Sequence, residues 1–274
     1  VRAGVQDRLK RLRNNTCVVV DAENQSDMNR FADDVLAAVA QGQRFLFRSA
    51  ASLLTALAKL PLQPIAAEDM GKWVRAGQPG AVLMGSHVGK STRQLEALLQ
   101  APGAVAVEVD VDRVQDGPQS GQERGQHADR DALLQEVIQQ VNRIHARGAT
   151  PVIFTSRRER IFADEATRLS FGEAVSAFLM DVVRGLPRTL GYLISKGGIT
   201  SNDTLSTGLE LAASRVLGQI LPGVSVVRCP ADHPKFPDMP VVIFPGNVGG
   251  DDALLQAFQR LSGGMSREKA TGHE

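Results

Sequence analysis

Aromatic residues are scarce in this chain: they fill 4% of its 274 positions, with one Trp and one Tyr. Stacking platforms for single-stranded nucleic acid need more rings than that. A dense Lys/Arg patch is missing too, and 31 basic side chains against 30 acidic ones leave a formal charge of +1. No nucleic-acid partner is expected. Cysteine is almost absent. Cys17 and Cys229 stand far apart, outside any CxxC pair, which reads as reduced thiols and a cytoplasmic protein. No apolar run approaches the ~20 residues of a membrane-spanning helix, and no secretory leader is read at the start. The five histidines have no partner at i+4 and no neighbouring ligand set, so no metal site is assigned. There is also no G-x-S-x-G elbow for triad hydrolysis.

What is present is alternation. Short, β-branched apolar runs recur at 17–20 (CVVV), 44–50 (RFLFRSA), 81–84 (AVLM), 105–110 (VAVEVD), 150–156 (TPVIFTS), 189–195 (TLGYLIS), 224–229 (VSVVRC) and 239–244 (MPVVIF). Apolar on successive residues, they suit strands covered on both faces. Helical stretches of ten or more residues lie between them: SDMNRFADDVLAAVA, TRQLEALLQ with its flanks, ADRDALLQEVIQQVNRIHARG, SFGEAVSAFLMDVVRGL and NDTLSTGLELAASRVL. The pattern predicts an α/β fold, a mostly parallel central sheet with helices on both faces in Rossmann-like layers. Ser26 is a candidate cap for the first of these helices, and Gly148 and Gly185-Leu186-Pro187 are stop signals. Residues 116–126 (DGPQSGQERGQ) read as a mobile loop and the tail from Gly263 as fraying. The chain opens at Val1 on an amphipathic stretch, as expected of a piece of a longer protein.

Three glycine-rich turns follow strands and precede helices. In 85–92 (GSHVGKST) the spacing is G-x-x-x-G-K-S, one residue short of a Walker A loop, and Met84 stands where its first glycine belongs. The loop is therefore not a P-loop. A helix start after a strand still favours anions, while a tight turn at Gly85 capped by Ser91 or Thr92 explains the same residues. The second turn, 195–203 (SKGGITSND), brings Gly197 and Gly198 for close backbone approach and Thr200 and Ser201 for hydroxyls, with Asn202 or Asp203 as candidate caps. The third, 244–252 (FPGNVGGDD), has more glycines than a helix start needs. In open α/β sheets ligands lie beyond the carboxyl ends of the strands, so the three turns together predict a shared phosphate or nucleotide site. Lys196 and Lys90 are the available cations. Arg157 or Arg158 is either an anion contact or part of a solvated charge run. Asp21, after CVVV, either binds a hydroxyl or Mg²⁺ or serves a turn.

These segments, GSHVGKSTRQLEALL, VIFTSRRER, YLISKGGITSNDTLSTGL, VLGQILPGVSVVRC and MPVVIFPGNVGGDDALLQAF in this order, resemble the C-terminal nucleotide-binding region of the four-carbon acid sugar kinase family. The resemblance runs from about Thr16 to Phe258. It implies ATP-dependent phosphorylation of a threonate, erythronate or 3-oxo-tetronate at the terminal hydroxyl, with Mg²⁺. Carried onto this chain, the family's nucleotide contacts fall on Gly85 and Ser86, on Gly197, Gly198, Ile199, Thr200 and Ser201, and on Gly246, Asn247 and Gly249. Lys196, Asp21 and Arg157 are further phosphate or substrate candidates, and the general base is unassigned. Many relatives have an acid where Ile199 stands and Lys-Ser-Gly-Asn-Phe-Gly in place of FPGNVG, although a subgroup resembles this chain at both places.

The family's early Asp-Asp-x-Thr-Gly-Ala motif is only echoed by ADDVLAAV at 32–39, which lacks the Thr-Gly. Residues 1–60 are accordingly expected to be the end of, or the connection from, a truncated sugar-acid-binding domain. Residues 61–262 would be the nucleotide-binding domain and 263–274 a flexible tail. Such a chain would meet its sugar acid through the missing domain and be inactive alone, and a homo-oligomer is an open outcome. The alternative is a non-catalytic, nucleotide-responsive regulatory domain. A dinucleotide-dependent oxidoreductase would need a G-x-G-x-x-G loop after the first strand, where DAENQSD stands.

Overall fold

The computed structural model describes residues 4–60, 65–86, 88–114, 123–158 and 160–268. The chain divides into two compact units, Val1–Leu62 and Gln63–Glu274.

The first unit holds three helices: α1 (Val5–Arg11), α2 (Gln25–Val39) and α3 (Ala51–Leu57). Leu9, Val35 and Ala38 form a small core, with Phe31, Phe45 and Leu57 packed on it. Asn24, not Ser26, caps α2: its side-chain oxygen accepts from the Asp27 N–H at 3.1 Å. The ADDVLAAV echo lies inside α2, where buried Asp34 accepts from Gln6 Nε2 at 2.9 Å. The two runs expected as strands, 17–20 and 44–50, join no sheet. Val19 is 85% exposed and Leu46 fully so. A strand needs a neighbour to satisfy its backbone, and no ladder forms among the described residues of this unit.

The second unit is built on a sheet of seven strands. In chain order its elements are β1 (Ala81–Met84), α4 (Gly89–Leu99), β2 (Ala104–Val109), α5 (Glu123–Ala146), β3 (Thr150–Thr155), α6 (Glu165–Gly185), β4 (Leu193–Lys196), α7 (Gly198–Asp203), β5 (Arg215–Leu221), β6 (Val224–Arg228), β7 (Pro240–Phe244) and α8 (Ala253–Glu268). The spatial order is β2-β3-β1-β4-β7-β6-β5. From β2 to β7 every pairing is parallel, and β6 pairs antiparallel with both β7 and β5. Successive side chains of a strand face opposite ways, which explains the unbroken apolar runs. Ala81, Leu83, Ile153, Leu193 and Val241 meet α5 and α6 through residues such as Val137, Phe178 and Val183. Val82, Met84, Val152, Ile194, Val242 and Phe244 meet α4 and α8 through Leu95, Leu98, Leu254 and Phe258. Each fully buried Leu or Phe stabilises by roughly 1.5–3 kcal/mol, so the two apolar layers hold the central strands firmly.

Several boundaries differ from the sequence reading. The stretch 202–217, read as one helix, breaks after α7 into a π-helical turn, Thr204–Gly208, and then runs into β5. Here Gly208 packs so closely on Val183 that a Cβ would sit 2.9 Å from its Cγ1. The antiparallel hairpin β5–β6 follows, turning at Pro222-Gly223 with Gly223 at φ +77°. Val88 occupies the cap position of α4 without a side-chain hydrogen bond, so neither Ser91 nor Thr92 caps it. Gly197 opens α7, which leaves Asn202 and Asp203 inside that helix. Of the expected loop at 116–126, residues 116–122 lie outside the described residues and 123–126 open α5. Likewise α8 continues past Gly263 to Glu268, and the remaining tail, 269–274, lies outside the described residues.

Candidate nucleotide site

The chain leaves β1 toward β2 on one side and leaves β4 toward β5 on the other. Adjacent strands whose connections diverge define the switch point where α/β sheets bind ligands. Both turns at this point are glycine-rich, and they touch. A Cβ on Gly85 would lie 2.5 Å from Thr200 Oγ1, and one on Gly197 would lie 3.1 Å from the same oxygen and 3.7 Å from Ser86 Cβ. Gly197 also sits at φ +121°, open only to glycine without strain. Its N–H donates to the Phe244 carbonyl at 2.8 Å, tying this turn to the end of β7. So Gly85, Ser86, Gly197 and Thr200 form one corner. At Gly198 a Cβ would meet nothing within 4 Å, and Ile199 is 77% exposed. Ser201 points the other way: it is buried, and its Oγ donates to the Ser195 carbonyl at 2.8 Å, closing the turn.

Two cations border this corner, neither in an ion pair among the described residues. Lys196, the last residue of β4, is completely buried between Met84 and Phe244 on the neighbouring strands. Its Nζ donates to the carbonyls of Pro245 at 2.7 Å and Gly246 at 2.9 Å and lies 4.6 Å from the Phe244 ring centroid. Burial, and then the charge of Lys90, pull its pKa down to about 8. Arg157 follows β3. Its guanidinium donates to the Ser86 carbonyl at 2.7 Å and the Thr155 carbonyl at 2.9 Å and packs over the Phe154 ring. Burial pulls its pKa down, and Glu108 opposes that shift. Among the described residues no acid forms an ion pair with either cation. A buried positive charge facing only carbonyl dipoles favours an anion nearby.

Lys90 is the other cation near these turns. In the structure its Nζ donates to the Asn247 carbonyl at 3.1 Å, so it braces the third glycine loop. Gly249 of that loop, at φ +79°, packs so tightly that a Cβ would lie 2.3 Å from Ala253 Cβ, whereas Gly246 is open. The sequence reading missed Gln94, whose Nε2 donates to the Val248 carbonyl at 3.1 Å and the Gly250 carbonyl at 2.8 Å. The available signal was the spacing of Lys90, Arg93 and Gln94, which share one helix face. Asp21 belongs to the first unit, where it is exposed. No group of three or more His, Cys, Asp or Glu side chains stands close enough to hold a metal among the described residues.

A family model described as the nucleotide-binding C-terminal domain matches residues 81–254, more than half of the chain. The chain belongs to the four-carbon acid sugar kinase family. A second model of the family, the sugar-binding N-terminal domain, matches residues 1–57. No curated protein matches significantly. Among solved structures, a Salmonella typhimurium LT2 protein provisionally named a tRNA synthase superposes with TM-score 0.55 at 19% identity, over 86% of this chain and 51% of its own. A DUF1537 protein of Bordetella bronchiseptica, solved with bound citrate as a domain-swapped dimer, gives TM-score 0.52 at 19% identity, over 89% of this chain and 53% of its own. The chain thus spans about half the length of these relatives, and at such identity the likeness speaks for the fold. All three glycine turns lie within the matched nucleotide-binding region.

Proposed function

We propose that the second unit is the nucleotide-binding half of an ATP-dependent kinase acting on a four-carbon sugar acid of the threonate, erythronate or 3-oxo-tetronate type. The acceptor would be the terminal hydroxyl. The observation that carries this reading is the corner at the switch point, where Gly85, Ser86, Gly197 and Thr200 converge beside two cations that form no ion pair among the described residues. Phosphoryl transfer asks a protein mainly for positioning and charge neutralisation. Backbone N–H groups of the glycine turns and the hydroxyls of Ser86 and Thr200 would hold the phosphates. Lys196 and Arg157 supply positive charge beneath them. In the reaction the bond between the γ-phosphorus and the oxygen shared with ADP breaks, a bond to the hydroxyl oxygen forms, and the hydroxyl proton passes to a base. That base and the sugar-acid pocket would belong to the sugar-binding part, of which residues 1–57 are a match. With no acidic cage among the described residues, Mg²⁺ would arrive held by the nucleotide's own oxygens.

Titration calorimetry of the 274-residue chain with ADP-Mg²⁺ tests the reading. Weak but saturable binding, with no phosphate transferred from ATP to a four-carbon sugar acid by this chain alone, is the expected result. No heat of binding at millimolar nucleotide would end the claim. Binding of ATP by a longer protein that turns over no sugar acid would favour a regulatory domain instead.

A further inference from the structure

One face of α4 grips the loop between β7 and α8. Lys90 holds the Asn247 carbonyl, Gln94 holds those of Val248 and Gly250, and Arg93 Nε meets both carboxylate oxygens of Asp251 at 3.1 Å. From β4, Lys196 takes the carbonyls of Pro245 and Gly246. The carbonyl side of this loop is thus filled by side-chain donors. Its amide side is emptier: among the described residues the N–H groups of Gly246, Asn247, Gly249 and Gly250 donate to no backbone carbonyl. Successive amides left open in this way form an anion-binding surface.

Gln94 stands out within this grip. It is completely buried, and its Oε1 finds no hydrogen-bond partner among the described residues. An unpaired amide oxygen in a protein interior lowers stability, and a methionine of similar volume would avoid that cost. A buried residue that leaves one oxygen unpaired while fixing two carbonyls of a glycine loop fits a role in ligand binding better than one in packing.

We propose that Gln94 is a positioning residue of the nucleotide site. By holding the Val248 and Gly250 carbonyls it turns the loop's N–H groups toward the phosphates of a nucleoside di- or triphosphate. It touches no ligand itself. The proposal rests on the nucleotide reading above, and the experiment separates the two.

Gln94→Met in the 274-residue chain removes both donated hydrogen bonds and the orphaned oxygen at nearly constant volume. The expected result is an unchanged or higher Tm together with a Kd for ADP-Mg²⁺ raised at least tenfold. Gln94→Glu, which sets a carboxylate against two carbonyls, is expected to lose the same affinity and also to lower Tm. Wild-type affinity in Gln94→Met would overturn the positioning role and leave the nucleotide reading standing. A parallel fall of Tm and affinity in that variant would also overturn it, because Gln94 would then be structural. If the wild-type chain bound no ADP, the nucleotide reading would fall and this proposal with it.

Discussion

The turn after β1 and the turn after β4 look alike in sequence, each following a buried strand and each pairing glycines with a lysine. They are used in opposite ways. Lys90 stands at the start of α4, beyond the turn, and reaches sideways to brace a neighbouring loop. Lys196 lies within β4, before its turn, and is buried under the loop that it holds. Gly89 begins a helix, where a Cβ would meet only the flexible end of Arg93, whereas Gly197 is held at positive φ against Thr200 and Ser86. The first turn builds scaffold through its Gly-Lys-Ser, and only Gly85 and Ser86 at the strand end share the corner. Where the lysine falls relative to the strand end decides its role, not its presence in a motif.

Breaking the contrast at the glycines is expected to have the largest effect. Gly197→Val forces a branched side chain to φ +121°, which should cost about 1–3 kcal/mol and abolish ADP binding. Gly89→Ala, within a helix and with only Arg93 Nη1 at 3.8 Å from the new Cβ, should be neutral or stabilise by about 0.5–1 kcal/mol. Thermal denaturation of both variants checks the pair, and equal losses would erase the distinction. Next in size is Gly198→Trp. Its Cβ enters open space, so the fold should keep its Tm while calorimetry finds ADP affinity reduced at least tenfold.

The lysines sharpen the same comparison through pH. Lys196 has a folded-state pKa of about 8, lowered from an ordinary 10.5. Between those values the unfolded chain holds more protons than the folded one, so this group's contribution to stability rises with pH. Nucleotide affinity should move the other way, falling several-fold from pH 7 to pH 9 as the ammonium is lost. Lys196→Met should flatten that profile in calorimetric titrations; a wild-type profile in the variant would remove Lys196 from the site. The smallest effect is expected for Lys90→Met: an exposed contact to one carbonyl is worth about 1 kcal/mol or less, so Tm and ADP affinity should change little.

Much of the second unit was legible because a strand buried on both faces must be apolar at every position, and runs such as AVLM and VVIF are. Of the hairpin β5–β6, the run VSVVRC announced β6, but β5 was not legible. Leu, Ala and Ser between 205 and 214 suit a helix locally, and the pairing that makes 215–221 a strand comes from β6. In the first unit the reverse happened. CVVV and RFLF carry strand chemistry yet join no sheet, because an apolar run names an element only where an edge is there to pair with it. The glycine turns could be found from sequence since each sits between a strand and a helix. That Lys90 and Gln94 serve a loop some 155 residues further on could not, because the parallel topology, not local pattern, brings α4 beside it.

The central claim is that the turns after β1, β4 and β7 bind one nucleotide together. Amide hydrogen exchange of the 274-residue chain, with and without saturating ADP-Mg²⁺, tests it most directly. The account predicts added protection concentrated at residues 85–86, 197–200 and 246–250, with the loop at 246–250 exchanging fast in the free protein. Protection elsewhere with none at these turns, or no change at any of them, would contradict it.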